Sequence, residues 1–330
     1  MDEADPLSAP AHSFGGIADI DPEEQLATRA AWLYFVAGLT QAQIGKKLGI
    51  NRTRVNRLLA EARDQGLVQI NITGRLASCV ALEQKLRERY GLEEAVVVPT
   101  PPDQDMIPQV IATAAGAVLS HRLKDGMSVG VGWGRTLRLS IQSVPRRQMN
   151  RLSVVSLLGG LTRGSAMNPH ETASHLADLV GAQCYYVAAP ALTDTESTRN
   201  LLIAQPMLRE IFERGARVDL AFLSVGALTH NCTMSRVGLI TRGEVDDLLQ
   251  AGAVGDICAH WINVEGSLVD HPLNARAMAL PPDKLKDVPC VAIASGGQAK
   301  AAVLRGVLRG GMCDVLITDE QAAKAILAMD

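Results

Sequence analysis

Aromatic side chains are scarce in this 330-residue chain. Three Trp, four Tyr and four Phe make up 3% of it, while 47% of its residues are hydrophobic. The core must therefore rest on Ala, Val, Leu and Ile. No uninterrupted apolar run approaches the roughly 20 residues of a membrane-crossing helix, which excludes a helical span. Residues 1–28 contain no Lys or Arg, so the N-terminus has neither the basic nor the apolar region of a secretory signal. The six cysteines, at 79, 184, 232, 258, 290 and 313, lie far apart, with no CxxC and no Cys/His spacing that suits zinc. These absences predict a cytoplasmic chain with reduced thiols, no metal and no cofactor.

Charge is unevenly distributed. Residues 1–28 carry seven acids and no base, a net of −7. Residues 29–63 carry seven bases and the single acid Glu61, a net of +6. The remainder is −2, which completes the chain's −3. A basic segment in a mildly acidic chain is an electrostatic footprint for phosphates.

That segment contains GLTQAQIGKKLGINRTRVNRLLAEARDQ, residues 38–65. It reads as helix, tight turn, helix. Gln41–Leu48 predicts a short helix with Ala42, Ile44 and Leu48 available for packing. Gly49 suits the positive φ that ends a helix, and Asn51 suits the N-cap of the next. From about Arg52, the residues Val55, Leu58, Leu59 and Ala62 share one face. Arg52, Thr53, Arg54, Asn56 and Arg57 occupy the other. An apolar docking face opposite a face of Arg, Asn and Thr suits a helix that reads the major groove. The candidate DNA contacts are these five residues and Gln41. A preceding helix is expected over Pro22–Val36, with Leu26, Ala30, Leu33 and Val36 inward. The segment LVQINIT after Gly66 predicts a short strand, the wing of a winged helix. Residues 1–22 read as a disordered acidic tail, residues 23–75 as the DNA-binding domain, and residues 76–91 as a linker helix.

From residue 92 to 330 the pattern changes. AVVV (95–98), SVGVG (128–132), SVVSLL (153–158), QCYYVA (183–188), LAFLSV (220–225), VAIAS (291–295) and VLIT (315–318) read as buried strands. Helical segments alternate with them at 107–123, 136–143, 169–180, 298–309 and 320–329. This predicts an α/β domain with a doubly wound, mostly parallel sheet.

Parallel sheets bind ligands beyond the carboxyl ends of their strands, so the turns that follow strands are candidate sites. GVGWGRT (130–136) enters a helix directly. Gly130, Gly132 and Gly134 permit close backbone approach, Thr136 sits at the helix N-terminus, Arg135 adds a cation, and Trp133 offers a face for sugar stacking. Gly159, Gly160 and Asn168 follow the next strand, along with Arg163. Asp219, Asp256 and Lys300 complete the candidate set. The turn is neither the GxGxxG dinucleotide fingerprint nor a Walker loop.

Several motifs in fixed order carry a more specific signal. TQAQIGKKLGINRTRVNRLL, GVGWGRT, LLGGL followed by NPHE, DLAFLSVGAL, VGDICAHWIN and SGGQAKAAVLRGVLRGGMCDVLITDEQAA resemble the SorC/DeoR-type family of sugar-binding transcriptional regulators. The resemblance spans about residues 24–329. It implies an N-terminal helix-turn-helix and a C-terminal effector domain, read together as a repressor of a carbohydrate or polyol catabolic operon; because one helix-turn-helix makes few base contacts, a homo-oligomer, a dimer or a tetramer, is expected. Its partners would be double-stranded operator DNA and a sugar, sugar alcohol or sugar phosphate that controls operator affinity. It also implies an effector domain similar in fold to glucosamine-6-phosphate isomerase/deaminase and ribose-5-phosphate isomerase, in which a GxGxGxT turn cradles the sugar phosphate. The alternative is such an enzyme with an added helical domain. The chain departs from the enzymes after the strand that follows Asp219: it reads VGALTHNCT, with His230 outside an Asp-Gly-His segment. Binding without turnover is therefore expected.

Overall fold

The computed structural model describes residues 21–64, 66–68, 77–161 and 168–329. The chain divides into two compact units, residues 1–70 and 71–330. The acidic tail, most of the expected wing strand and Arg163 lie outside the described residues.

The first unit holds helices α1 (Pro22–Phe35), α2 (Gln41–Leu48) and α3 (Arg52–Asp64). Asp21 caps α1 by accepting from Glu23 N at 3.0 Å. Thr40 and Gln43 form a capping box on α2, satisfying two donors at its start. Gly49 ends α2 at φ 69°. Gly45 lets the turn close onto α2, since a Cβ there would lie 2.7 Å from Ile50 O. Asn51 Oδ1 accepts from Arg54 N at 2.8 Å and starts α3. Ala27, Ala30, Ala31, Leu33, Ile44, Val55, Leu58, Leu59 and Ala62 form this unit's own core. Two expected core positions do not join it. Val36 is 68% exposed and Ala42 is also on the surface. Val36 is the C-cap residue, one position beyond the last helical residue of α1, and α2 turns Ile44 rather than Ala42 inward.

The second unit runs α4 (Ala77–Tyr90), β1 (Glu94–Val98), α5 (Ile107–Arg122), β2 (Ser128–Val131), α6 (Arg135–Gln142), β3 (Ser153–Ser156), α7 (Pro169–Val180) and β4 (Gln183–Tyr185). It continues with α8 (Glu196–Ala204), α9 (Pro206–Gly215), β5 (Leu220–Leu223), β6 (Val225–Ala227), α10 (Thr233–Arg236), α11 (Arg242–Gln250), β7 (Gly255–Ile257) and β8 (His260–Ile262). It closes with α12 (Pro272–Arg276), α13 (Pro282–Leu285), β9 (Val291–Ala294), α14 (Ala301–Arg309), β10 (Val315–Asp319) and α15 (Glu320–Ala328).

Seven strands form one parallel sheet in the order β1-β10-β9-β5-β2-β3-β4. Alternation along each strand divides the core between two faces. In β5, Leu220 and Phe222 join the side covered by α5, α6 and α7 through Ile111, Ile141 and Leu176. Ala221 and Leu223 join the side covered by α4, α14 and α15 through Leu86, Leu304 and Ile326. The connecting helix α4 is thus also part of this unit's core, with Cys79, Leu82 and Leu86 buried in it.

A feature not anticipated in the sequence is a small antiparallel sheet, β6-β7-β8, that continues directly from β5. Its strands have three residues each, too short to show alternation. The described cysteines are all free. Among the described residues no helix is long and apolar enough to cross a membrane, and no group of three metal-ligating side chains occurs.

Candidate functional site

Strand order fixes where a small molecule can enter. From β2 the chain moves outward through β3 and β4. It then returns to the other side of β2 as β5 and continues through β9 and β10. The order reverses between β2 and β5. In an open α/β sheet the crevice beyond the carboxyl ends at such a reversal is the ligand site.

At that crevice β2 passes into Gly132, Trp133 and Gly134, and then α6. Gly134 has φ 121°, a conformation side chains resist, and the space where its Cβ would stand is open. No side chain caps α6. Arg138 N is the first amide to reach an intrahelical carbonyl, Gly134 O, at 3.0 Å. The amides of the first turn therefore end at the carboxyl edge, where a helix dipole favours an anion or hydroxyl. Thr136 is buried in this turn, and Arg135 is exposed at its rim. With its amide oxygen turned to it, Gln109 of α5 accepts from Arg135 Nη2 at 2.8 Å.

Across the reversal, Ser224 follows β5 and Ser295 follows β9. Ser224 Oγ donates to Ser295 Oγ at 3.3 Å, and Lys300 Nζ donates to the same oxygen at 3.1 Å. Asp256 stands in β7 opposite Gly226 of β6, and its Oδ1 fills the place where a Gly226 Cβ would lie. Its Oδ2 accepts from Ala259 N at 3.2 Å. The hairpin turn that carries this amide holds both Cys258 and Ala259 at positive φ, 48° and 57°. Burial pushes the Asp256 carboxyl up to about 7, against the Ala259 amide and the Lys300 charge, which favour the carboxylate. Burial lowers the Lys300 ammonium while Asp256 supports it. β2 and β9 stand two strand spacings apart, about 10 Å, on either side of β5.

Several expected ligand contacts have other tasks. Asp219 precedes β5, and its Oδ2 accepts from Ser128 N at 2.7 Å and Ser128 Oγ at 2.9 Å. It therefore lies at the amino edge, the length of a strand from the crevice. Trp133 is 9% exposed and packs in the core, so it offers no open stacking face. Gly130 lies inside β2, where a Cβ would meet Leu157 at 2.8 Å. Gly132 N donates to Phe222 O, Gly159 N to Met278 O, and Gly160 N to Ala189 O. A Cβ at Gly159 would meet Pro190 O at 2.5 Å, and one at Gly160 would meet His170 Cε1 at 2.6 Å. These four glycines serve close packing. Asn168 caps α7, accepting from His170 N at 3.2 Å and donating to Leu161 O at 3.3 Å. His230 pairs with Asp246 at 2.7 Å on the surface, and both side chains are substantially exposed.

Sequence reasoning missed the buried Asp319. Its Oδ1 accepts from Gly297 N at 2.6 Å, and its Oδ2 accepts from Thr100 Oγ1 at 2.5 Å and Gln321 N at 3.2 Å. It ties the carboxyl ends of β1, β9 and β10 together and holds the turn before Lys300. An Asp between a buried strand and a helix, in LITDE, was the available signal.

In the first unit Arg52, Thr53, Arg54, Asn56 and Arg57 are all exposed on α3, opposite its buried face. Arg52 Nε donates to Gln41 Oε1 at 3.2 Å, which joins the starts of α2 and α3. Glu23 of α1 lies 2.8 Å from Arg57 and 3.8 Å from Arg54.

Comparison with known proteins agrees with this division of the chain. Residues 74–328 match the family described as "Putative sugar-binding domain", and residues 30–74 match the MarR family. The chain is 34% identical to the erythritol catabolism regulatory protein EryD of Brucella abortus (strain 2308), over 93% of this chain and 98% of that one. It is 30% identical to the deoxyribonucleoside regulator of Bacillus subtilis (strain 168), over 92% and 98% respectively. The full-length sorbitol operon regulator SorC from Klebsiella pneumoniae superposes with a TM-score of 0.70 at 26% identity, covering 94% of this chain and 100% of that one.

Proposed function

The chain belongs to the SorC/DeoR-type family of sugar-responsive transcriptional regulators, and from that premise we propose that it represses a carbohydrate or polyol catabolic operon until an effector fills the crevice between β2 and β9. It is a DNA-binding regulator whose action is controlled by a sugar-type effector. The observation that carries the finer reading is the uncapped start of α6 at Gly134, across the sheet reversal from Asp256 and Lys300. The first-turn amides suit a phosphate or terminal hydroxyl. Lys300 supplies positive charge, and Asp256 accepts from or donates to a hydroxyl according to its protonation. The effector class is a polyol, a sugar or a sugar phosphate; relatives bear names referring to erythritol and sorbitol.

The proposed action is binding without turnover. General acid–base chemistry on a sugar needs carboxylate or imidazole groups within reach of one another. His230, the imidazole nearest in sequence to the enzymes' histidine segment, is engaged with Asp246 at the surface. We further propose a cytoplasmic homo-oligomer, a dimer or tetramer, because one helix-turn-helix makes few base contacts and such modules act in symmetric pairs.

Thermal shift with erythritol, sorbitol, deoxyribose and the phosphate of each tests the effector class. A ligand that binds only the native state raises the melting temperature. A saturable rise with one of these compounds supports the reading. No rise with any member of the panel, at millimolar concentration, overturns it.

A further inference from the structure

Arg52, Arg54 and Arg57, on the exposed face of α3, each have a polar or acidic partner within their own unit. Arg52 is bound to Gln41. Arg57 lies between Glu23, at 2.8 Å, and Glu61, at 3.3 Å. Arg54 lies 3.8 Å from the same Glu23 oxygen. Glu61 comes from α3 itself, an ordinary pair one turn apart. Glu23 is different: it reaches across from the first turn of α1, and one carboxylate oxygen faces two guanidinium groups that are 49% and 60% exposed. A single oxygen shared between two exposed guanidinium groups is the arrangement a DNA phosphate would make with them.

The position of Glu23 is fixed by the backbone. Asp21 accepts from Glu23 N and caps α1, so the chain enters the helix beside α3.

Building on the DNA-binding reading of α3, we infer that Glu23 is an internal competitor for DNA phosphate at Arg54 and Arg57. DNA binding must displace the carboxylate from these two arginines, and the freed carboxylate then stands near the phosphates. Both effects lower affinity for any duplex, whatever its sequence. The consequence is a lower background of non-specific binding, which is supplied mainly by phosphate contacts. A dimer that makes added base contacts at its operator can still overcome the competition.

The experiment measures fluorescence anisotropy of a short DNA duplex of arbitrary sequence, titrated with the full chain across a range of salt. Glu23→Gln keeps the side-chain length and removes the charge. It is expected to tighten binding about two- to five-fold at low salt, the range of one exposed ion pair. It is also expected to steepen the dependence of log K on log salt by up to about one unit, as one more phosphate is effectively neutralised. The gain must vanish when Glu23→Gln is made in an Arg54→Ala, Arg57→Ala background. Melting curves for each variant establish that the first unit is intact. Equal or weaker binding by a folded Glu23→Gln variant would overturn the inference. So would a gain that persists without the two arginines. Absence of any binding by the parent chain would instead count against the DNA-binding reading itself, and the two failures are distinguishable.

Discussion

Lys300 Nζ donates to Ser295 Oγ at 3.1 Å, and Ser295 Oγ in turn donates to Val225 O at 3.3 Å. One hydroxyl thus joins the turn after β9 to the first residue of β6. Lys300 is thus linked through it to the small sheet carrying Asp256, and under the proposed effector site a ligand that takes a bond from Lys300 would also act on β6.

Lys300→Ala should therefore weaken effector binding by removing a charge-assisted bond, about 1.5–3 kcal/mol. Gly134→Val should do the same by a different route, because valine resists φ 121° and its side chain enters the open space over α6. Calorimetric titration with the ligand identified by thermal shift checks both. Unchanged affinity in both variants places the site elsewhere.

Stability should depend on pH through two buried groups of opposite sign. Asp256 has its folded value raised to about 7 from 3.8. Its contribution is fully present below pH 3.8 and is lost as pH rises through 7, because the folded state holds a proton that the unfolded state releases. His260 has its folded value lowered to about 4 from 6.5 by burial. Its contribution is present above pH 6.5 and is lost as pH falls through 4. Denaturant melts of Asp256→Asn against the parent should show the parent losing relative stability between pH 4 and 7. His260→Gln against the parent should show the parent losing relative stability from pH 6.5 down to 4. A flat difference in either pair contradicts the corresponding assignment.

The recognition-helix reading predicts that Arg54→Ala with Asn56→Ala abolishes sequence preference, each lost base contact costing about 1–3 kcal/mol. Mobility shifts with the DNA upstream of the chain's own gene, against unrelated DNA, check this. Intact specific binding by the double variant refutes the assignment.

Much of this was visible in the residues. The period of Val55, Leu58, Leu59 and Ala62 fixed the buried face of α3, and α7 spans the residues, 169–180, that the sequence pattern marks as helical. What was not legible depends on which group fills a space. Gly130, Gly159 and Gly160 look like ligand-facing glycines, but Leu157, Pro190 and His170 occupy the room they leave. Asp219 belonged to the other edge because it precedes its strand; direction along the sheet, rather than nearness to it, decides access. Hairpin β7–β8 escaped notice because three-residue strands show no period and its turn residues, Cys258 and Ala259, are unusual at positive φ.

The separate core of the first unit gives a further test. Leu58 is fully buried there among Ala30, Ile44 and Val55. Leu58→Ala should destabilise that unit by about 2–5 kcal/mol and abolish DNA binding. The effector-induced rise in melting temperature of the second unit should persist. Loss of both responses together would show that the two units do not fold independently.

The central claim is that occupancy of the crevice changes DNA affinity. The most direct measurement is the affinity of the full chain for upstream DNA with and without saturating effector, in the parent and in Lys300→Ala. A coupling of about 1–3 kcal/mol predicts a change of roughly 5–150-fold in the parent. In Lys300→Ala that change should appear only at higher effector concentration. DNA affinity that the bound effector leaves unaltered in the parent, or an identical response at identical concentrations in Lys300→Ala, would contradict the account.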